Sequence, residues 1–325
     1  MRIYRPVAQL IDVPAALLSA VILTLSIGGY AADWHWRLAW YSNPRPHFVV
    51  AALLAGLWFL LRRQRWGMAA TLVTLLLNGL ALAPIFLPQH QAVTPDNEST
   101  FTLVHLNTDQ GAATLSPLLT TGADLLLLQE VTPALAATLP QTLPDYTIIQ
   151  SHPLTNTHGS ATLLRKGSSL SVVGTETILL PAYATRPLLT AQLELHGHRI
   201  RLLNFHLTRP DDAWRDGFQQ VELTTAAAWS RTRQQAERTE VIIAGDFNVT
   251  PWSTRFVRLL QTGDLQDSLR GFGLQNSWPT DLPLVAGIPI DHALHSAGMV
   301  TLDRKILPTT GSDHAALLVT FAFVE

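Results

Sequence analysis

Val241-Ile242-Ile243-Ala244-Gly245-Asp246-Phe247-Asn248 passes from four apolar residues through one glycine to an acid and an amide. Branched residues in succession form strands, so a buried strand ends here and delivers Asp246 and Asn248 to the rim of a sheet. The texture repeats along the chain. Asn107 and Asp109 end the run 101–106, Gln129 and Glu130 follow 124–128, and Asn204 and His206 end 199–205. Asp291 and His292 interrupt 290–294, and Ser312, Asp313 and His314 open 315–323. Further β-type runs fall at 146–150, 160–164, 170–180 and 188–195. Helical patterns lie between them, clearest over 212–237 and 254–260. The stretch 188–205, turned at His196, Gly197 and His198, has the form of an antiparallel hairpin. Buried strands interspersed with helices require two layers of sheet covered by helices. His292 and His295 read as filler on a strand.

The chain has 325 residues, 47% of them apolar and 14% charged, against roughly 25% charged in an ordinary soluble domain. That composition excludes a disordered chain. A net charge of −2 speaks against a protein that coats nucleic acid, and the absence of cysteine excludes disulfides, thiolate zinc sites and thiol nucleophiles. A mean hydropathy of +0.20 implies that part of the chain faces lipid, and the apolar excess sits at the front. Residues 13–32 contain no Asp, Glu, Lys or Arg, enough helix to cross a hydrocarbon core of roughly 30 Å. Runs at 46–61 and 66–87 follow, the shorter flanked by Arg45 and by Arg62, Arg63 and Arg65, whose long stems reach toward headgroups. Trp34, Trp36, Trp40 and Tyr41 are rings of the kind that collect at a membrane interface. These features describe a membrane anchor of three transmembrane helices within 1–90, with a cleaved signal as the alternative for the first run. Arg2, Arg5 and the later arginine cluster mark the cytoplasmic side, so the positive-inside bias exports everything after the third span. A polar linker over 91–99 leads to a globular domain, 100–325, of a length typical for one compact unit.

Each strand-end residue alone has a plain structural reading. Asp and Asn after a strand make side-chain turns, and Glu130 ahead of 131–139 suits the first turn of a helix. Turns do not need carboxylates, carboxamides and imidazoles together, whereas metal-assisted hydrolysis of a phosphate ester does. Hard oxygen ligands without thiolate favour Mg²⁺ or Mn²⁺. A carboxylate orients or deprotonates the attacking water, and neutral amide and imidazole donors offset charge on phosphoryl oxygens. An Asp beside a His fixes the imidazole tautomer.

Gln129-Glu130, Asn204-Phe205-His206-Leu207, Gly245-Asp246-Phe247-Asn248, Ile290-Asp291-His292 and Ser312-Asp313-His314 occur in an order that resembles the endonuclease/exonuclease/phosphatase superfamily, over essentially all of 100–323. Thr250-Pro251-Trp252-Ser253 resembles its membrane-anchored bacterial branch, which implies a bacterial inner membrane and a periplasmic catalytic domain. The resemblance implies an α+β fold, a four-layer α/β/β/α sandwich of two mainly antiparallel sheets flanked by helices. It implies Glu130 as principal metal ligand, Asn107 beside it, and Asp313 completing or alternating the site, with Mg²⁺ or Mn²⁺ as cofactor. Asp246 is similar to the residue that aligns and activates the water, and Asn248 to the one that holds a phosphoryl oxygen. His314 resembles the imidazole on the scissile phosphate, Asp291 its orienting carboxylate, and His206 the second histidine that helps the leaving group depart. Water then attacks in line, with no covalent enzyme intermediate. Asp109 is a weaker metal ligand, a solvated turn residue being the alternative. Arg186 and Asn204 fall with the substrate-binding residues, although an ordinary surface ion pair explains Arg186 as well. Gly159 and Ala161 resemble small residues packed behind the site.

The acidic partner that deoxyribonucleases place beside their histidine is not identifiable here, and residues 99–325 carry 15 Lys and Arg against 20 Asp and Glu, a poor track for a nucleic-acid backbone. A lipid-linked or periplasmic phosphate ester is therefore the expected substrate, with a nuclease as the alternative. Trp214, Phe218, Trp252 and Trp278 are candidates for an apolar rim, with burial in the core as the other reading. An inactive scaffold on the same fold is the remaining class, and it would be expected to lose Glu130, Asp246 or His314.

Overall fold

A computed structural model describes residues 5–88, 99–283 and 286–324. Arg2 and all but the last residue of the expected linker lie outside the described residues. The chain divides into two compact units, Met1–Leu87 with Trp252–Thr254 and Pro88–Pro251 with Arg255–Glu325.

The first unit contains α1 (Arg5–Gly28), the one-turn α2 (Trp36–Ala39), α3 (Arg45–Arg62) and α4 (Arg65–Phe86). Three stretches, Ile11–Ala31, Arg45–Arg62 and Arg65–Phe86, are long and apolar enough to cross a membrane by length and composition. Leu17, Leu54, Leu61 and Leu80 stand more than half exposed on these helices, surface that is costly in water and favourable in lipid. Polar side chains bond to one another between the helices. Arg45 is fully buried, donates from Nη1 to Asn78 Oδ1 at 3.2 Å and lies 4.0 Å over the Tyr30 ring, while Asn78 Nδ2 donates to Ser26 Oγ at 2.8 Å.

In the second unit the chain forms β1 (Thr100–Asn107), β2 (Leu125–Gln129), β3 (Tyr146–His152), β4 (Ser160–Arg165), β5 (Ser171–Ile178) and β6 (Leu188–Leu195). It continues with β7 (His198–Asn204), β8 (Glu240–Asp246), β9 (Gln266–Asp267), β10 (Asp291–His295), β11 (Met299–Leu307) and β12 (Ala316–Phe323). Helices α5 (Pro133–Thr142), α6 (Ala213–Ala236) and α7 (Thr254–Gly263) are interspersed. The strands make two six-stranded sheets, in the orders β11-β12-β1-β2-β4-β3 and β5-β6-β7-β8-β10-β9. Parallel pairing joins β1 to β2 and β7 to β8, and the other neighbours are antiparallel.

Side-chain alternation along the strands builds the layers. Leu103, Leu125 and Leu127 of one sheet share a core with Leu193, Leu202 and Ile242 of the other. The intervening Val104, Leu126 and Leu128 pack with Leu139 of α5, and Leu203, Val241 and Ile243 pack with Leu223 and Ala226 of α6. Strands covered on both faces are apolar throughout, which is why β2 and β8 read as unbroken runs. The result is the expected sandwich of two mixed sheets flanked by helices. One long strand, β11, escaped the sequence reading because Asp303, Arg304 and Lys305 sit in it; it is an edge strand, and its register shifts between Thr301 and Asp303. Charges and bulges are common devices at an edge.

The expected hairpin joins β6 to β7, with Leu195 opposite His198. His196 and Gly197 have φ of 50° and 88°, the left-handed pair of a type I′ turn. Replacing Gly197 by Val is expected to lower the unfolding free energy by about 1–2 kcal/mol, the cost of forcing a branched residue into that region, read as a lower urea midpoint at unchanged m-value.

Candidate active site

Parallel neighbours end on the same edge of a sheet. Asn107 closes β1 opposite Gln129, which closes β2; Asn204 closes β7 and Asp246 closes β8. Antiparallel β10 starts at Asp291, directly opposite Asp246, and Ser312–His314 lead into β12 beside the end of β1. Six strand ends from two sheets thus meet.

Gln129 ties them together. Its Nε2 donates to Asn204 Oδ1 at 2.9 Å, and its Oε1 accepts from the Asp246 backbone N–H at 3.0 Å. Asn204 Nδ2 in turn donates to the carbonyls of Leu128 and Ala161, each at 3.3 Å. Both side chains are buried. Asn204, expected to bind substrate, is buried with its side-chain amide engaged in this inter-sheet clamp. Gly245, at φ 151°, is required between them, since a Cβ there would lie 2.1 Å from Phe205 O and 2.2 Å from Gln129 Nε2.

One pole of the site is acidic. Asn107 Nδ2 donates to Glu130 Oε1 at 3.2 Å and to Asp246 Oδ2 at 3.3 Å, so one amide bridges the two carboxylates. Glu130 is not a first-turn helix residue: Thr132 caps α5, and Glu130 precedes it in left-handed backbone at φ 56°, a conformation that a non-glycine residue adopts at some energetic cost. Burial pushes its carboxyl above the usual range, opposed by the Asn107 and Gln110 N–H donors. Asp109 lies in left-handed backbone, its N–H donating to Asn107 Oδ1 at 3.1 Å, and its charge disfavours ionisation of Glu130. Asp313 Oδ2 accepts from Trp278 Nε1 at 2.8 Å, and its Oδ1 lies 3.9 Å from His314 Nε2. Among the described residues, His, Asp and Glu form no group of three or more arranged to hold a metal ion. The side chains of Glu130 and Asn107, joined by that hydrogen bond, offer oxygens that a cation could take.

The other pole carries imidazoles. Asp291 accepts from both sides: Oδ2 is 2.9 Å from His314 Nδ1, and Oδ1 is 2.9 Å from His105 Nε2. His314 Nε2 and His206 Nε2 each lie 3.7 Å from Asp246 Oδ2. The two rings differ in charge. Burial disfavours the charged form of His314, but the carboxylates of Asp291 and Asp246 outweigh it and raise the imidazole to about 10. Burial holds His206 down to about 3, with His158 adding to the effect; the His158 ring lies 6.0 Å away and is itself held to about 4 by burial and then by Arg186. Asp291 is burdened by burial, yet the charge of His314 and hydrogen bonds from both imidazoles hold it below the carboxylate range. Burial and then the charge of Asp291 raise Asp246 to about 7, against the pull of His314. Asn248, at φ 49°, donates its N–H to Asp246 Oδ1 at 2.8 Å and its Nδ2 to Asp246 Oδ2 at 3.2 Å. Arg186 donates from Nη1 to Thr208 Oγ1, two residues beyond His206.

Asn107, Glu130, His206, Asp246, Asn248, Asp291, Asp313 and His314 therefore share one network, while Asn204 lies behind it. His292 and His295 are core residues bonded to the carbonyls of Val249 and Ser296. His105 and His158 escaped the sequence reading. A signal existed for His105, since it lies two residues before Asn107 on β1 and so shares its face; none existed for His158.

This geometry is that of a phosphate-ester hydrolase. The chain belongs to the Endonuclease/Exonuclease/phosphatase family, whose profile matches residues 105–314. No curated protein matches it in sequence. Among solved structures it is similar to a Bacteroides thetaiotaomicron VPI-5482 mannosyl-6-phosphatase, Bt3783, at 16% identity and TM-score 0.57, over 69% of this chain and 100% of that one. D. rerio TDP2 complexed with a single-strand DNA product matches at 19% identity and TM-score 0.56, over 69% of this chain and 99% of that one. The human Nocturnin catalytic domain with bound sulfate matches at 17% identity and TM-score 0.56, over 70% and 96%. Such identities carry the fold alone.

Neutral burial of His206 has a measurable consequence. Its folded value is depressed to about 3, while an unfolded imidazole protonates near 6.5, so stability is full above about 6.5 and falls as the pH drops toward the folded value. A His206→Asn variant is expected to flatten the slope of unfolding free energy between about pH 4.5 and 6 by up to about 1.4 kcal/mol per pH unit, measured by urea titration of the full-length protein in detergent. An unchanged slope would show that His206 takes up its proton without unfolding.

Proposed function

We propose that this protein is a membrane-anchored, divalent-metal-dependent phosphoesterase of the bacterial inner membrane, with the domain from about residue 100 onward on the extracytoplasmic side. Its substrate is a lipid-linked or periplasmic phosphate ester, hydrolysed by in-line attack of water. The observation that carries this reading is the position of Asp246 Oδ2, 3.3 Å from Asn107 Nδ2 and 3.7 Å from both His206 Nε2 and His314 Nε2. A carboxylate raised to about 7 is matched to proton transfer near neutral pH, so Asp246 aligns the water and takes its proton.

Cationic His314, oriented by Asp291, stabilises charge on the phosphoryl oxygens. Neutral His206, as near to Asp246 as His314 is, is suited to hydrogen-bond the leaving oxygen, and Asn248 donates to a phosphoryl oxygen. Arg186 binds the ester's anionic end. Glu130 is a half-buried carboxylate bonded by neutral amide donors, which leaves its charge for a cation to balance. Glu130, Asn107 and Asp313, with Asp109 as a weaker contributor, would hold Mg²⁺ or Mn²⁺; the small number of carboxylates fits Mg²⁺, which is commonly bound by one or two of them together with substrate phosphate. When bound, such an ion supplies Lewis-acid stabilisation of the phosphoryl charge.

Three stretches apolar enough to cross a bilayer and the arginine distribution support the location and the nearness of lipid-linked esters. TDP2 in complex with a DNA product keeps a nuclease in view as the second reading. The excess of acidic over basic residues in 99–325 disfavours it.

Full-length protein is expected to hydrolyse bis-p-nitrophenyl phosphate and a phospholipid only with Mg²⁺ or Mn²⁺. Asp246→Asn is expected to lower kcat by about 10²–10⁴-fold with the melting temperature kept, and Glu130→Gln to raise the metal concentration needed for half-maximal rate. Turnover in chelator, or full activity of Asp246→Asn, would reject the proposal; cleavage of plasmid DNA in preference to both esters would establish the nuclease reading.

A further inference from the structure

Beside Arg186 the second unit opens a groove of about 620 Å³ between the segment 183–186 and the start of α6. Its walls are aromatic and unusually bare: Tyr183 is 70% exposed and Trp214 69%, apolar surface that water penalises. The walls are also fixed in place. Trp214 and Phe218, one helical turn apart, stack at 5.5 Å with an interplanar angle of 5°, and Tyr183 meets Phe218 edge-on at 6.4 Å. The floor is kept low by small residues. Gly217 lies inside α6, where glycine costs up to about 1 kcal/mol against alanine, and a Cβ added there would meet nothing within 4 Å. A side chain at 217 would point into open space, and the sequence leaves that space empty.

The lining of the groove is chemically uneven. Its cationic part is the Arg186 guanidinium, which lies 5.7 Å from the Phe218 ring centroid and bonds to Thr208, two residues from His206 and hence close to Asp246. The rest of the lining is mostly aromatic and aliphatic, with Ala184, Ala213, Trp214 and Val221 among it. We propose that this groove seats the acyl chain of a phospholipid whose phosphate lies beside Arg186 and His206, a site that sets the substrate class of the phosphoesterase inferred above and rests on that reading. Two other amphipathic occupants fit less well. A sugar or a nucleobase needs several side-chain partners for its hydroxyls or ring edges, and on the α6 wall Ala213, Gly217, Phe218 and Val221 offer none, which leaves Tyr183 and Thr185 on the opposite wall as the hydroxyl partners. The negative balance of residues 99–325 opposes a polynucleotide. An acyl chain asks only for apolar contact, at about 0.8 kcal/mol per buried methylene.

The test uses the full-length protein and fills the groove rather than emptying it. Gly217→Leu gives α6 a better helix former, so folding is retained. The expected result is at least a tenfold fall in the ratio of kcat/KM for a dihexanoyl phospholipid to that for its deacylated glycerophosphodiester; an unchanged ratio overturns the proposal. A second readout does not depend on turnover. A monomeric lysophospholipid with a dibrominated acyl chain is expected to quench tryptophan fluorescence more in the wild type than in Trp214→Phe, and Gly217→Leu is expected to abolish the difference. Quenching without hydrolysis of any phosphate ester would sink the phosphoesterase reading and keep the groove. Hydrolysis of bis-p-nitrophenyl phosphate with equal quenching in wild type and Trp214→Phe would do the reverse. Relief of the quenching by a hexose phosphate or a dinucleotide overturns the choice of an acyl chain.

Discussion

Gln129 is the residue on which the site depends. Its amide is fully engaged across the gap between the sheets, donating to Asn204 and accepting from the backbone of Asp246. Leaving either buried partner unmatched costs about 1–3 kcal/mol, so this side chain, together with the Asn204, Asn107 and His105 bonds between the same two sheets, adds direction that the apolar contacts between them lack. The approach is close enough to exclude any side chain at position 245. Glycine there is a consequence of the clamp, and the position of Asp246 is a consequence of both.

With Asp246 fixed, the electrostatics of its neighbours follow from what else each of them touches. His314 and His206 stand at the same distance from Asp246 Oδ2, yet one is charged and one is neutral. The difference is Asp291, which hydrogen-bonds His314 and leaves His206 with desolvation and a second imidazole beside it. His105 takes the remaining oxygen of Asp291, so a fully buried carboxylate is held ionised by two partners. Pairs of titratable groups pushed apart in this way divide acid and base work within one site. The acidic pole obeys the same logic, because Asn107 donates to Glu130 and Asp246 together and brings the two carboxylates to one place.

The first unit applies hydrogen bonding to a different problem. Its helices expose leucine and keep Arg45, Asn78 and Ser26 bonded to one another. Polar groups in lipid-facing helices are tolerated where they satisfy each other inside the bundle. The second unit keeps its apolar strands inside and leaves large bare rings at Tyr183 and Trp214, so the two units differ in what they present as well as in composition.

Much was legible from residue order alone. Strands covered on both faces must be apolar throughout, so β2 and β8 announced themselves, and the polar residues that followed the apolar runs had to lie at strand ends, where Asn107, Glu130, Asp246, Asp291 and His314 are found. Long uncharged runs marked the three apolar helices for the same reason, since length and hydrophobicity are local properties. Sequence could not separate Asn204 from its neighbours at the rim, because whether an amide faces inward or outward depends on what the opposite sheet offers it. It missed β11, whose charges are tolerated only at an edge. His105 and His158 acquire meaning from partners far away along the chain, and Trp214 stands exposed where Trp252 is buried although the two are chemically identical. Local composition determined which segments are strands, helices and candidate spans; pairing between distant segments, which no local property encodes, decided which polar groups share a charge and which rings stay bare.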